Sequence, residues 1–286
     1  MRIIQSLGEM NETARGWLAG GTVGFVPTMG YLHDGHLSLI RAAQECEITV
    51  VSIFVNPLQF PPGDPAQRYP RDVPRDLQLL SAANVDVVFL PRAEDLFPPD
   101  FATFVTLSGP IADRLEGAIY PAYIRGVATM TCKLFQLVRP DIAYFGQKDA
   151  QQVAVVRQLV RDLNIDVNLR VLPTMRESDG LALSSRNTLL SSAERQAARL
   201  LYQALLAGKA LVEGGERRSP LIEQAMTRVI ASEPLVRLDY VAVCHADTFK
   251  GVPQVVPHTL LALAANIGQA RLIDNIVYQG RGRWQL

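Results

Sequence analysis

Only three cysteines occur in the 286 residues, and Cys46, Cys132 and Cys244 stand too far apart for a disulfide framework or a metal-ligand spacing. That scarcity fits a reducing compartment, with the thiols as core or helix-surface groups. Long apolar runs are missing too: nothing approaches the ~18 residues a membrane-spanning helix needs. The N-terminus has no basic segment leading into a signal-type apolar stretch. Neither sign of charge dominates. Lys plus Arg and Asp plus Glu number 28 each, which leaves no strong field to draw nucleic acid or an anionic membrane. The expectation is a cytoplasmic protein with small-molecule partners, binding no nucleic acid and no membrane.

What is present is enough apolar material, 48% of the chain, to bury a large core. Strand-like runs fall at 23–26, 48–55, 85–90, 142–145 and 167–172, and helical patterns at 37–45, 74–83, 128–138 and 150–163 separate them. Such alternation specifies an α/β fold, a parallel sheet with helices on both faces, whose ligands bind beyond the carboxyl ends of the strands. After Arg176 the pattern changes. Two helices are expected within 192–232, separated by Glu213-Gly214-Gly215-Glu216, then strands at 239–244, 260–265 and 271–278. The expected organisation is therefore a first domain over 1–175 and a smaller α+β domain over 176–286. The proline-rich stretch 57–74 reads as a long ordered or lid-like loop.

Four segments carry chemistry. The run Val23-Gly24-Phe25-Val26 breaks at Pro27-Thr28-Met29-Gly30, continues to His33-Asp34-Gly35-His36 and becomes helical. A helix start presents free backbone N–H groups, and its dipole disfavours a fixed positive charge on the imidazoles. His33 and His36 read either as neutral donors to a phosphate, as a His-x-x-His metal pair, or as exposed histidines near a turn. The second segment, Asn56-Pro57-Leu58-Gln59-Phe60, follows a strand. Its amides suit a hydroxy-acid substrate, or Asn56 is a strand cap before a proline turn. In Tyr144-Phe145-Gly146-Gln147-Lys148-Asp149, a strand meets glycine and then a helix that carries Gln152. Lys148 is a point charge for phosphate or a solvated surface lysine; Asp149 is an N-cap, or a ribose or metal contact. The fourth, Met175-Arg176 with Leu183-Ser184-Ser185-Arg186-Asn187, reads as an anion clamp or as the serine-rich cap of the next helix.

These segments, with Arg68-Tyr69-Pro70-Arg71, Leu115-Glu116-Gly117, Arg125-Gly126-Val127 and Ala270-Arg271-Leu272-Ile273-Asp274-Asn275, occur in an order that resembles the pantothenate synthetase (pantoate–β-alanine ligase) family. The resemblance runs from about residue 3 to residue 276. It implies a Rossmann-like nucleotidylyltransferase domain followed by a smaller C-terminal lid domain. The implied reaction is the ATP-dependent condensation of (R)-pantoate with β-alanine through a pantoyl adenylate, releasing AMP and pyrophosphate. ATP would come with Mg²⁺, which neutralises pyrophosphate. By the resemblance, ATP is bound by Met29, Gly30, Tyr31, Leu32, His33, Asp34, Gly35 and His36, by Gly146, Gln147, Lys148 and Asp149, and by Met175, Leu183, Ser184, Ser185 and Arg186. His36, His33, Lys148 and Arg186 are the implied catalytic groups. Gln59, Gln152 and Asn56 would hold pantoate and β-alanine, and Asp76 is a candidate metal contact.

Tyr123 stands where the family usually has histidine, which takes away any role tied to an imidazole at that position. A homodimer is the family expectation. Some relatives are fused to a cytidylate kinase, so a longer parent chain is conceivable, although this sequence has no P-loop motif. Two rival readings compete. An adenylyl- or cytidylyltransferase would take a phosphorylated acceptor, for which no extra basic cluster is evident; an ATP-sensing scaffold would bind without releasing pyrophosphate. A zinc protein is disfavoured because His245 and His258 fall in the expected second domain and no third ligand accompanies His33 and His36.

Overall fold

Strands β1 (Arg2–Ile4), β2 (Val23–Thr28), β3 (Ile48–Ile53), β4 (Val87–Phe89), β5 (Ile142–Gly146) and β6 (Asn168–Leu172) form one parallel sheet in the order β1-β4-β3-β2-β5-β6. The computed structural model describes residues 1–17, 20–60 and 69–286. Val23 pairs with Ile48 and Thr28 with Ile53, so β2 and β3 run in step along six residues. Both strands are buried almost throughout, which is why they read as continuous apolar runs rather than as alternation.

Helices cover both faces of this sheet. The helices of this part of the chain, in order, are α1 (Leu7–Trp17), α2 (Asp34–Ala43), α3 (Val73–Ala82), α4 (Ala93–Leu96), α5 (Pro110–Asp113), α6 (Glu116–Ile119), α7 (Pro121–Val138) and α8 (Ala150–Asp162). The pleat sends neighbouring side chains of β2 to opposite sides. Phe25 meets Phe135 of α7 edge to face with ring centroids 6.4 Å apart, while Val26 joins Ile40 of α2 and Leu80 of α3 in a separate cluster. The winding runs outward from β2 through β3 to β4, then returns to β5 on the other side of β2. Such a reversal is where open α/β sheets take ligands.

The chain divides into two units: Met1–Gly146 with Val155–Leu172, and Gln147–Ala154 with Pro173–Leu286. The second contains α9 (Ser192–Ala198), α10 (Leu200–Glu213), α11 (Ser219–Ile230) and an antiparallel sheet of β7 (Val236–His245), β8 (Thr259–Ile267), β9 (Ala270–Gly280) and β10 (Arg283–Gln285), ordered β10-β9-β8-β7. Leu201, Leu205, Ile222, Met226, Leu261, Leu263 and Ile276 lie in its core. A Cβ on Gly208 would come within 2.9 Å of Leu261 and 3.0 Å of Met226, so this position of α10 needs glycine for close packing.

The α/β class expected from the sequence is the one observed. The edge strand β1 and the helix α1 were not anticipated: three residues are too few to show a period. Helix α7 begins at Pro121 rather than at 128, with proline in its first turn, where a missing N–H costs nothing. The expected pair of helices within 192–232 is three, because the chain breaks at Arg199 between α9 and α10. In the proline-rich stretch, Pro57–Gln59 is a 3-10 turn. Arg68 and the rest of 61–68 lie outside the described residues.

Candidate active site

The turn after β2 is built from its own backbone demands. Gly30 has φ +82°, and a Cβ there would sit 2.9 Å from Ile53 and 3.1 Å from Asp76, so glycine is required twice over. Helix α2 starts at Asp34 with His33 as its N-cap. The Nδ1 of His33 accepts from the Gly35 N–H at 3.2 Å, and the Nδ1 of His36 accepts from the His33 N–H at 3.3 Å. This is a capping box made of two imidazoles. With both Nδ1 lone pairs occupied by backbone donors, each neutral ring carries its proton on Nε2. The rings lie 4.0 Å apart at 35°. The arrangement yields two neutral Nε2–H donors at a positive helix end, the combination suited to developing negative charge.

Asp76 of α3 holds this turn from behind. Only 1% exposed, it accepts from the Tyr31 N–H at 2.7 Å with one oxygen and from the Leu32 N–H at 2.8 Å with the other. Arg75 donates to the Leu32 carbonyl at 3.0 Å and places its guanidinium 5.5 Å from the centre of the Tyr31 ring. Burial pushes the Asp76 carboxyl above its ordinary value, against the opposing pull of the Leu32 and Tyr31 N–H bonds and of Arg75. Both Asp76 oxygens thus serve backbone donors, and no group of three or more His, Cys, Asp or Glu side chains suited to a metal occurs among the described residues. Asp76 also walls a cavity of about 210 Å³ that is lined by Met29, Gly30, Tyr31, Phe54 and Arg71.

Asn56 follows β3 and is 1% exposed. Its carbonyl oxygen accepts from the Leu58 N–H at 3.1 Å and its amide donates to the Gly126 carbonyl at 3.0 Å. Of the two readings open for Asn56, these bonds favour the cap. The 3-10 turn it starts presses on α7 so closely that a Cβ on Gly126 would lie 2.7 Å from the Leu58 carbonyl oxygen. Gln59, half-buried, sits at the end of that turn.

In the second unit, Gln147–Asp149 is a 3-10 turn running into α8, and Ser185–Leu189 is another; both pack on β9. Lys148 is largely buried and lies 3.7 Å from Asp149. Ser184 caps its turn by accepting from the Arg186 N–H at 3.2 Å, and the Leu183 N–H donates to the Met175 carbonyl at 2.9 Å. Arg176 makes a two-pronged ion pair with Asp274, 2.6 and 2.9 Å, and stacks 4.1 Å from the centre of the Tyr202 ring. Fold and geometry thus place Met29 to His36 with Asp76 in one unit, and Lys148 with Ser184, Ser185 and Arg186 along β9 in the other.

A family model described as pantoate-beta-alanine ligase matches residues 2–277. The chain belongs to the pantoate–β-alanine ligase family. Pantothenate synthetase of Heliobacterium modesticaldum is 50% identical over 281 residues, covering 98% of this chain and 100% of the relative. A crystal structure of pantothenate synthetase from Thermus thermophilus is 44% identical with a TM-score of 0.91, covering 96% of this chain and 98% of that one. A pantoate-beta-alanine ligase from Francisella tularensis, complexed with beta-gamma ATP and beta-alanine, is 33% identical with a TM-score of 0.81, covering 99% of this chain and 100% of that one. Membership makes the chain a ligase. No helix among the described residues is long and apolar enough to cross a membrane.

Reading this ligase from its sequence missed the supports behind the named groups. Asp76 appeared only as a metal contact, and Arg176, Asp274 and Asn275 appeared only inside motifs. A partner 45 residues away, as Asp76 is from Tyr31, leaves no local pattern. The one available signal was a pair of polar residues, Asp274-Asn275, inside an otherwise apolar strand, since polar groups buried there need partners.

Proposed function

We propose that this chain joins pantoate to β-alanine at the expense of ATP, by way of a pantoyl adenylate. A carboxylate is a poor acyl donor. Its oxygen attacks the α-phosphorus of MgATP, pyrophosphate departs, and the mixed anhydride carries AMP as a good leaving group. The amine of β-alanine then attacks the acyl carbon, AMP leaves, and the amine loses a proton to give the amide. Negative charge builds on the α-phosphate and the departing pyrophosphate, so the protein's task is to present fixed donors there rather than a covalent nucleophile.

In this reading the Nε2–H groups of His33 and His36 are donors to that charge, and the Met29 to Leu32 backbone cradles the nucleotide. Lys148, Ser184, Ser185 and Arg186 hold phosphate oxygens, and Gly146, Gln147, Asp149, Met175 and Leu183 contact the nucleoside. Gln59 and Gln152 grip pantoate and β-alanine, with Asn56 shaping the turn that carries Gln59. Magnesium enters with the nucleotide as MgATP. The observation that carries the reading is the likeness over nearly the whole chain to the Francisella ligase complexed with beta-gamma ATP and beta-alanine. The imidazole capping box supports it by supplying neutral donors at a helix start.

The test follows pyrophosphate, AMP and pantothenate by mass from MgATP and pantoate, with and without β-alanine. Sustained turnover that needs β-alanine and yields pantothenate is expected. His36→Ala, folded by circular dichroism, should lower pyrophosphate release about 10²-fold, the size of effect of losing one transition-state donor. Release at the parent rate from that variant removes His36 from the chemistry.

A further inference from the structure

Asn275 makes no claim on attention as a catalytic group: it is 3% exposed and sits in the middle of β9. Its side chain nonetheless uses both amide donors and its amide oxygen on one short turn. The amide nitrogen donates to the Gln147 carbonyl at 3.1 Å and to the Lys148 carbonyl at 2.9 Å, and the amide oxygen accepts from the Gln147 side chain at 3.1 Å. Two successive carbonyls and one side chain of Gln147–Asp149 are therefore held by a single residue of the sheet.

Asn275 is itself held. Its N–H donates to an Asp274 oxygen at 2.7 Å, and that carboxylate takes both prongs of Arg176. Arg176 also donates to the Asn275 carbonyl at 3.3 Å and to the Gly180 carbonyl at 3.1 Å. The chain of bonds runs from the 176–180 turn through Asp274 and Asn275 to the backbone of Lys148. Its members are buried or nearly so, where hydrogen bonds of charged groups are strong and an unpaired carbonyl is costly. A lysine side chain is long and rotatable, so the position of its main chain decides where its charge can go.

We propose that Asn275 is a positioning residue for Lys148: by gripping the carbonyls of Gln147 and Lys148 it fixes the turn from which the ammonium group reaches the nucleotide phosphates. This role rests on the ligase reading above. It predicts that most of what losing Asn275 costs adenylation passes through Lys148, with the Gln147 and Asp149 contacts of the same turn accounting for only a small remainder.

A double-mutant cycle in the full chain tests it, read by single-turnover pyrophosphate release from MgATP and pantoate. Asn275→Ala should slow release at least about tenfold in the parent, with the ATP requirement rising more than the pantoate requirement, as a small misplacement of a catalytic group does. In a Lys148→Ala background the same change should slow release less than about twofold. Equal factors in both backgrounds overturn the positioning role, whatever Asn275 does for the melting temperature. Asn275→Asp keeps the size and the acceptor facing Gln147 but turns a carboxylate oxygen on two carbonyls; it repeats the cycle, by the same criterion, if the alanine variant does not fold. A parent chain that releases no pyrophosphate overturns the ligase reading and this role together. A normal parent rate with equal factors overturns only the role of Asn275.

Discussion

At the scale of single residues, a few side chains act on backbone rather than on ligand. Asp76 is the clearest. Its two oxygens hold the N–H groups of Tyr31 and Leu32 just beyond Gly30, at positive φ for both Gly30 and Tyr31. A carboxylate accepts at both ends, whereas an amide accepts at one and sets its NH₂ against the remaining N–H. Asp76→Asn should therefore destabilise the fold by about 1–3 kcal/mol, the cost of a buried donor left unpaired. Urea unfolding followed by fluorescence or circular dichroism measures it, and a midpoint equal to the parent's removes the clamp. The same logic separates the two amides after β3: Asn56 uses its amide on Leu58 and Gly126, so its substitution acts on the shape of the Gln59 turn.

At the scale of elements, charge ties helix α9 to the turn that precedes the Ser184–Arg186 segment. Arg195 donates to Asp179 at 2.8 and 3.1 Å and to Glu177 at 2.6 Å. The hydrogen bond from Arg195 holds the Asp179 carboxyl below the ordinary carboxylate range. The folded value is then the lower one, and as pH falls the unfolded chain takes up this proton first. The stabilisation from Asp179 is complete above the unfolded value, near 3.8, and disappears as pH falls through the folded value. Asp179→Asn should lower the melting temperature at pH 7, and its gap from the parent should narrow as pH falls below about 4. Thermal melts across that range check this; a gap that stays constant means the ion pair contributes nothing to stability.

Element identity was largely legible before any coordinates. Buried strands of a parallel sheet announce themselves as branched and aromatic runs between turn residues, as Val23 to Val26 and Ile48 to Ile53 do. The short edge strand β1 did not, because pairing with β4 rather than any local pattern makes it a strand. The start of α2 was legible as a place, through its two histidines and glycines. The direction of their ring protons was not, since that follows from which backbone N–H each Nδ1 meets.

At the scale of the whole molecule each unit has its own hydrophobic packing: in the first, one core surrounds Val26, Ile40, Val51 and Leu80; in the second, a core surrounds Leu205, Met226, Leu261 and Ile276. Leu261→Ala leaves a cavity in the second core and should cost about 2–5 kcal/mol. Hydrogen exchange should show the loss of protection concentrated in β7, β8 and β9, with β2 and β3 little changed. Equal loss in both sheets would mean that the two cores open as one.

The sequence by itself determined the α/β class, the order of β2 to β6 with the longer helices between them, and residue types suited to phosphate, because periodicity, turn residues and helix starts are local properties. Family membership was also readable there, since motifs in fixed order along the chain need no coordinates. Only the tertiary structure decided that Asp76 serves the Tyr31 and Leu32 N–H groups, that Asn56 caps its turn, and that Asn275 bonds the Lys148 carbonyl. Those pairs are separated by 45, 70 and 127 residues. A buried polar group takes whichever partner the packed chain brings within about 3 Å, and nothing along the chain specifies that partner before it packs.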